Sequence, residues 1–195
     1  MLAEIEKGFS GELYYNNTAA HNAMIMSYAT DASVYQERPI AVAVPKTVAD
    51  VKRLIGFATA AGVTLIPRAA GTSLAGQVVG KGIIVDISKY FTAITEVNVE
   101  EGWARVQPGV IRDDLNAHLN PLGCMFGPET STASRAMIGG MIGNNSSGLH
   151  SIVWGDTREN LLEVKVLLAD GTEAVFTDLT KTEFEQKCAE ESLEG

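Results

Sequence analysis

The sequence predicts an α+β protein with two subdomains: a small parallel βαβ unit, then a unit in which helices flank an antiparallel sheet. Three observations carry this reading. An apolar run, a helical period and a second apolar run succeed one another between Ile40 and Ile66. The period then shortens into two hairpins marked by Glu101-Gly102 and Asp170-Gly171. Finally, two glycine-rich stretches, with Arg68 their one charged residue, stand one on each half of the chain, and 195 residues leave room for one domain or two small subdomains.

Taken in order, residues 1–34 read as an N-terminal helical segment. Phe9, Leu13, Tyr14, Met24, Met26 and Tyr28 form its amphipathic face, a packing layer or lid in which the methionines serve packing more readily than binding. Ile40–Val44 is a buried strand ended by Pro45. Thr47 is a good N-cap for a helix with Val48, Val51, Leu54, Ile55 and Ala58 at helical spacing, stopping at Gly62. Val63–Ile66 is a second strand, and so short a return implies a parallel pair with a right-handed crossover. The stretch that follows it therefore leaves the carboxyl end of a parallel strand, where open α/β sheets bind ligands. Gly82–Ile87 is a third strand closing the first subdomain, about 35–90.

In the second subdomain, about 91–195, Ile94–Val99 and Trp103–Val106 form the first hairpin. Ile111, Leu115 and Leu119 mark a helix after Pro108-Gly109, and Leu161–Leu168 with Thr172–Phe176 form the second hairpin of the same antiparallel sheet. Lys181–Gly195 reads as a helix, with Phe184, Cys188 and Leu193 on it, that simply stops. The subdomain is accordingly expected to be truncated at its C-terminus.

Hydrophobic content of 46% and charged content of 20% are those of an ordinary globular protein. A net charge of −9 argues against nucleic acid as a partner, because phosphate backbones need a cationic surface. Cys124 and Cys188 make neither a CxxC pair nor a zinc spacing, and His21, His118 and His150 share no ligand spacing, so no metal site is expected. With no signal-peptide pattern at the N-terminus and no run long enough to cross a bilayer, the expected location is the cytoplasm. The longer protein could also lie peripherally on an inner membrane.

The glycine-rich stretches are Pro67–Gln77 and Ile138–Gly148; the second holds four glycines, two asparagines and two serines. Glycine lets the backbone take positive φ or come close to another molecule, and the peptide N–H groups of such stretches can converge on phosphates. Either stretch alone is also read as a tight turn needing no ligand. Both together are harder to read so, because eight of the nineteen glycines fall within Arg68–Gly82 and Ile138–Gly148. Gly71–Val78 has the glycine spacing of a P-loop, but Gln77 and Val78 replace its lysine and hydroxyl, and no GxGxxG fingerprint is present. His150, two residues beyond Gly148, is within reach of a bound ring or is simply a surface histidine. Glu129 and Asp156 are not linked by anything in the sequence. No Ser/His/Asp arrangement is legible, so the chemistry is assigned to a cofactor and no residue of this chain is named catalytic.

Asp31–Tyr35, Pro39–Pro45, Pro67–Gln77 and Phe126–Thr132, joined by Met137–Gly148 and Val153–Asn160, resemble the FAD-linked oxidase family, whose FAD-binding domain is the type found in vanillyl-alcohol oxidase and the p-cresol methylhydroxylase (PCMH) flavoprotein. The wording is most similar to the branch of glycolate oxidase flavin subunits, D-lactate dehydrogenases and D-2-hydroxyglutarate dehydrogenases, including its iron–sulfur-fused members. The resemblance implies a PCMH-type FAD-binding domain over residues 35–195. It implies that Pro67, Arg68, Ala69, Ala70, Gly71, Thr72, Ser73 and Gln77 wrap the FAD pyrophosphate. Pro108, Gly109, Pro128, Ser131, Thr132, Ser134, Ile138, Gly139, Gly140, Ile142, Asn144 and Gly148 would contact the remaining parts of the cofactor. Thr72 stands where relatives with covalent flavin carry histidine, so the implied FAD is non-covalent. Ala69 and Ala70 replace glycines common in the family, which would narrow the pyrophosphate loop, and Thr130 replaces a common proline, which would loosen that turn.

By the same resemblance the partners are FAD and a small 2-hydroxy acid, bound through a C-terminal cap that this chain lacks. The electron acceptor would be a quinone, an electron-transfer flavoprotein or a fused iron–sulfur region. The leading expectation is therefore the FAD-binding portion of a flavin-dependent enzyme that oxidises a D-2-hydroxy acid, inactive by itself. Two alternatives stay open: a MurB-like NADPH-dependent flavoprotein reductase, and a non-catalytic nucleotide-binding module.

Overall fold

The computed structural model describes residues 2–192. It opens with helix α1 (Leu2–Glu6), strand β1 (Glu12–Tyr14) and helix α2 (Ala19–Ser27). The expectation of a helical segment over residues 1–34 is thus corrected by β1, which pairs antiparallel with β2 (Ala41–Val44), Leu13 opposite Ala43. Glu12 fixes this strand: its carboxylate accepts hydrogen bonds from Tyr14 and Tyr90 and pairs with Lys89, and these partners hold its carboxyl down at about 2. Met1 of that segment lies outside the described residues.

Helix α3 (Val48–Ala61) follows β2 and starts where the sequence places it. Thr47 and Asp50 form a reciprocal capping box, and Gly62 ends the helix at φ 65°. Asp50 is 1% exposed and also accepts from the N–H and hydroxyl of Ser10, tying the N-terminal segment to α3. Burial pushes its carboxyl up, but the bonds from Ser10, Lys46 and Thr47 outweigh it and bring it to about 2.

Strands β3 (Leu65–Arg68) and β4 (Ile83–Asp86) complete a four-stranded sheet of order β1-β2-β4-β3, in which β2, β4 and β3 are parallel. The expected adjacency of β2 and β3 is therefore wrong, since β4 inserts between them. The reason is visible in burial: all four residues of β4 are buried, as suits a central strand, while β3 is only partly covered and takes the edge. Alternate residues face opposite layers. Ala41, Ala43, Ile83 and Val85 pack with Leu54 of α3 and with α1, whereas Val42, Val44 and Ile84 pack with Ile25 of α2 and with Tyr28.

Beyond this sheet, β5 (Ile94–Asn98) and β6 (Trp103–Val106) form the expected hairpin, turning at Gly102 with φ 74°. Helix α4 (Arg112–Leu119) and a short 3-10 turn precede helix α5 (Ile138–Asn144) and the one-turn helix α6 (Ser151–Trp154). Val110, Leu115, Leu119, Ala136, Ile138 and Met141 make the second core, against which β5, β6 and Phe126 pack. The glycine-rich Ile138–Gly148, expected to be a loop, is thus helical over its first seven residues. Its Ile138, Met141 and Ile142 recur at helical spacing toward that core, a signal outweighed in the sequence by the glycines.

Contacts divide the chain into two units, Met1–Asn160 and Leu161–Gly195. The second contains β7 (Glu163–Leu167), β8 (Glu173–Thr177) and helix α7 (Lys181–Cys188), capped by a Thr180/Glu183 box. Its two strands pair with each other as an antiparallel hairpin, turning at the expected Asp170-Gly171. The expected helix Lys181–Gly195 ends at Cys188, and residues 193–195 of it lie outside the described residues. Among the described residues no helix is long and apolar enough to cross a membrane.

Candidate functional site

A cleft of about 470 Å³ opens where β3 and β4 end. Arg68 at the end of β3 lines it with Ala69 and Ala70 just beyond, Asp86 at the end of β4 with Ser88 just beyond, and Met24, Ser27 and Tyr28 at the end of α2, together with Ile111, Arg135 and Met137. Asp86 is 6% exposed, and each of its carboxylate oxygens is engaged: Oδ2 accepts from the Tyr28 hydroxyl at 2.5 Å and Oδ1 from the Ser88 N–H at 2.7 Å. Burial, then the bond to Asp86, pushes the Tyr28 phenol above its usual range, so it remains a donor. The Arg68 guanidinium lies 5.1 Å from the centre of the Tyr28 ring, and its Nη1 donates to the Thr30 carbonyl at 2.8 Å.

That anchored arginine sits beneath the first glycine-rich loop. Gly71 has φ 65°, and a Cβ there would come within 2.8 Å of the guanidinium; its carbonyl accepts from Ala32 N–H at 3.1 Å. Gly76, at φ 69°, lies so close to Tyr35 that a Cβ would meet its ring at 2.5 Å. Held between these contacts, the N–H groups of Ala70, Gly71, Thr72 and Ser73 have no acceptor among the described residues. Four consecutive amides are thereby available to an anion from outside the chain.

The second segment closes on the first. The Ile138 and Gly139 N–H groups donate to the Val110 and Pro108 carbonyls at 2.9 and 2.8 Å, and a Cβ on Gly139 would overlap Pro108 at 2.4 Å. Gly109 is held by its N–H to Phe91 O at 2.7 Å. At the next residue of α5, a Cβ on Gly140 would stand 3.4 Å from that of Ala69, and one turn farther the Gln77 side-chain amide donates to Asn144 Oδ1 at 2.9 Å. Gly140 and Asn144, four residues apart on one helix face, thus both meet the first loop. Farther on, Gly148 touches the loop carrying Pro128, where a Cβ would lie 2.1 Å from the Glu129 carbonyl.

Of the residues expected to hold cofactor, Pro67, Arg68, Ala69, Ala70, Gly71, Thr72, Ser73 and Gln77 lie on or beside one loop. Pro108, Gly109, Gly139, Gly140 and Asn144 face it or brace the helix that does. Ile138 and Ile142 direct their side chains into the core. Pro128 is buried, and Thr132 belongs to a turn in which its hydroxyl lies 3.3 Å from that of Thr130; Thr130 O accepts from Ala133 N–H, so this turn is hydrogen-bonded despite lacking proline. Ser131 and Ser134 are exposed and do not line the cleft. His150 bonds Glu129 at 2.6 Å. Sequence reasoning missed Tyr28, Asp86 and Arg135. The signal for Asp86 was present, because a carboxylate closes the otherwise apolar run Ile83–Val85.

A diphosphate-bearing cofactor fits these residues. Amide donors await its oxygens, Arg68 and Arg135 supply positive charge, the lining carboxylate is already bonded, and missing Cβ atoms let backbone come close.

Comparison with known proteins agrees with this geometry. Residues 39–177 match the model of the FAD binding domain family. The chain is 42% identical over 174 residues to D-2-hydroxyglutarate dehydrogenase of Escherichia coli (strain K12), covering 87% of this chain and 17% of that protein. It is 34% identical over 152 residues to glycolate oxidase subunit GlcD of Bacillus subtilis (strain 168), 77% of this chain and 32% of that one. The chain thus spans less than a third of either relative. Among solved structures, alkyldihydroxyacetonephosphate synthase superposes with a TM-score of 0.78 at 17% identity, over 94% of this chain and 35% of the other, a likeness of fold.

Proposed function

The chain belongs to the FAD binding domain family, and from that membership we propose that it is the FAD-holding portion of an enzyme that oxidises a D-2-hydroxy acid of the lactate, glycolate or 2-hydroxyglutarate type. The observation that carries the reading is the run of four amides, Ala70–Ser73, left without acceptors beside a cleft lined by two arginines. In this reading those amides bind the diphosphate, and Gly140 with Asn144 forms the opposing wall, latched by Gln77. FAD is held without a covalent bond, Thr72 offering no imidazole for one. When bound, FAD supplies the acceptor for the hydride leaving C2 of the hydroxy acid, and a quinone, an electron-transfer flavoprotein or an iron–sulfur centre reoxidises it. The substrate is gripped by segments outside the region matched here, as the relatives' greater length allows.

Titrating the chain with FAD while following flavin fluorescence and melting temperature tests this. Binding to the folded state raises the melting temperature by mass action. Acid precipitation should release all the flavin into the supernatant, as a non-covalent complex requires. Gly140→Leu, which fills the gap to Ala69, should abolish saturation. An unchanged titration in that variant would remove the cofactor from between the two segments.

A further inference from the structure

No residue of Gly155–Asn160 is among those expected to hold cofactor, yet this stretch bonds directly to the end of α5. Asn145, the residue that caps α5, has φ 45° and ψ 55°, and among the described residues it is the one non-glycine with positive φ. Its side chain is used twice: Nδ2 donates to Asp156 Oδ2 at 2.8 Å and Oδ1 accepts from the Arg158 N–H at 2.9 Å. Beside it, the Ser146 carbonyl accepts from both the N–H and the hydroxyl of Thr157, at 3.0 and 2.6 Å, and Thr157 is 1% exposed. Asp156 Oδ1 in turn accepts from the Glu159 N–H at 3.0 Å; that bond, then the one from Asn145, holds its carboxyl below the usual range.

A left-handed asparagine costs energy that a glycine would not, and such strain persists where the surroundings over-determine it. We propose that Asn145, Asp156 and Thr157 form a positioning clamp that sets the rotation of α5, and with it the Gly140/Asn144 face turned toward the Ala69–Gln77 loop. The other end of α5 is fixed through Pro108 and Val110. With seven residues, α5 makes few hydrogen bonds of its own, so its setting depends on its two ends. The clamp rests on the cofactor reading above, in which that face is one wall of the FAD site.

Asn145→Asp keeps a side chain tolerant of left-handed backbone but sets two carboxylates against each other. The double variant N145D/D156N exchanges donor and acceptor and can restore every hydrogen bond of the clamp. FAD affinity from fluorescence, the visible absorption band of the bound flavin, and the melting temperature of the FAD-free chain are read for each. N145D should weaken FAD binding about tenfold, the worth of one or two net hydrogen bonds, and shift the band; the double variant should recover both. Asn145→Gly, which relieves the strain and removes only the side-chain bonds, should also weaken binding. A fall in melting temperature with affinity and band unchanged would make the clamp merely structural and overturn the proposal, as would a double variant no better than N145D. Absence of FAD binding by the unaltered chain would instead sink the cofactor reading and the clamp with it.

Discussion

The loop Ala69–Gly82 and the segment Ile138–Gly148 each hold four glycines, yet their backbones do different things. The first has no helix or strand, takes positive φ at Gly71 and Gly76, and leaves the consecutive amides of Ala70–Ser73 without acceptors among the described residues. The second spends most of its amides on Val110, Pro108, Ser151 and its own helix, and its glycines at 139 and 148 are there because other backbone is too near for a Cβ. At Gly71 and Gly76 glycine serves conformation, and at Gly139 and Gly148 it serves proximity. The first pattern leaves a run of donors without acceptors among the described residues, and the second packs closely against other backbone.

The largest effect expected from this contrast is at Gly148. An alanine there would put its methyl 2.1 Å from the Glu129 carbonyl oxygen, a backbone atom held between buried Pro128 and the turn that follows it. Gly148→Ala should cost about 3 kcal/mol, the upper end for overpacking, in urea unfolding of the FAD-free chain. An unchanged midpoint would show that the close approach is not maintained and would break the comparison.

Gly71→Ala comes next. The left-handed backbone makes alanine costly by about 1–2 kcal/mol, but the neighbouring group is the end of the Arg68 side chain, which can move. Stability should fall less than in Gly148→Ala, whereas FAD affinity should fall by about tenfold because the displaced guanidinium and the altered loop both belong to the cleft. Isothermal titration set beside thermal melting separates the two. Loss of stability equal to that of Gly148→Ala, with affinity intact, would remove the distinction between conformation and proximity.

Much of this was legible in the sequence, and the parts that were not share a cause. Thr47 as a cap, Gly62 as a stop, and the hairpin at Glu101-Gly102 are written in residues adjacent to one another. The same holds for the donor-rich loop after β3, because a glycine run at the carboxyl end of a parallel strand is itself a local pattern. Relations across the chain were not legible. The insertion of β4 between β2 and β3, the pairing of Glu12–Tyr14 with β2, and the bond from Tyr28 to Asp86, 58 positions apart, depend on long-range packing. Within α5, local signals disagreed: glycine's low helix propensity argued for a loop, while Ile138, Met141 and Ile142 at helical spacing argued for a buried face. Burial won, as it commonly does over propensity.

That last conflict yields the smallest effect and the finest test. Gly143 lies in α5, is absent from the positive-φ positions, and a Cβ added to it would meet nothing within 4 Å. It therefore serves neither conformation nor proximity, and Gly143→Ala should relieve the entropic cost of a helical glycine, stabilising the chain by about 0.5–1 kcal/mol. For a chain of this length that corresponds to a rise of roughly 2 °C in melting temperature. FAD affinity should not change, because Gly140 and Asn144, on the face that meets the first loop, are untouched. A fall in melting temperature would mean that the end of α5 needs a conformation open only to glycine. The second segment would then resemble the first, and the two uses of glycine would collapse into one.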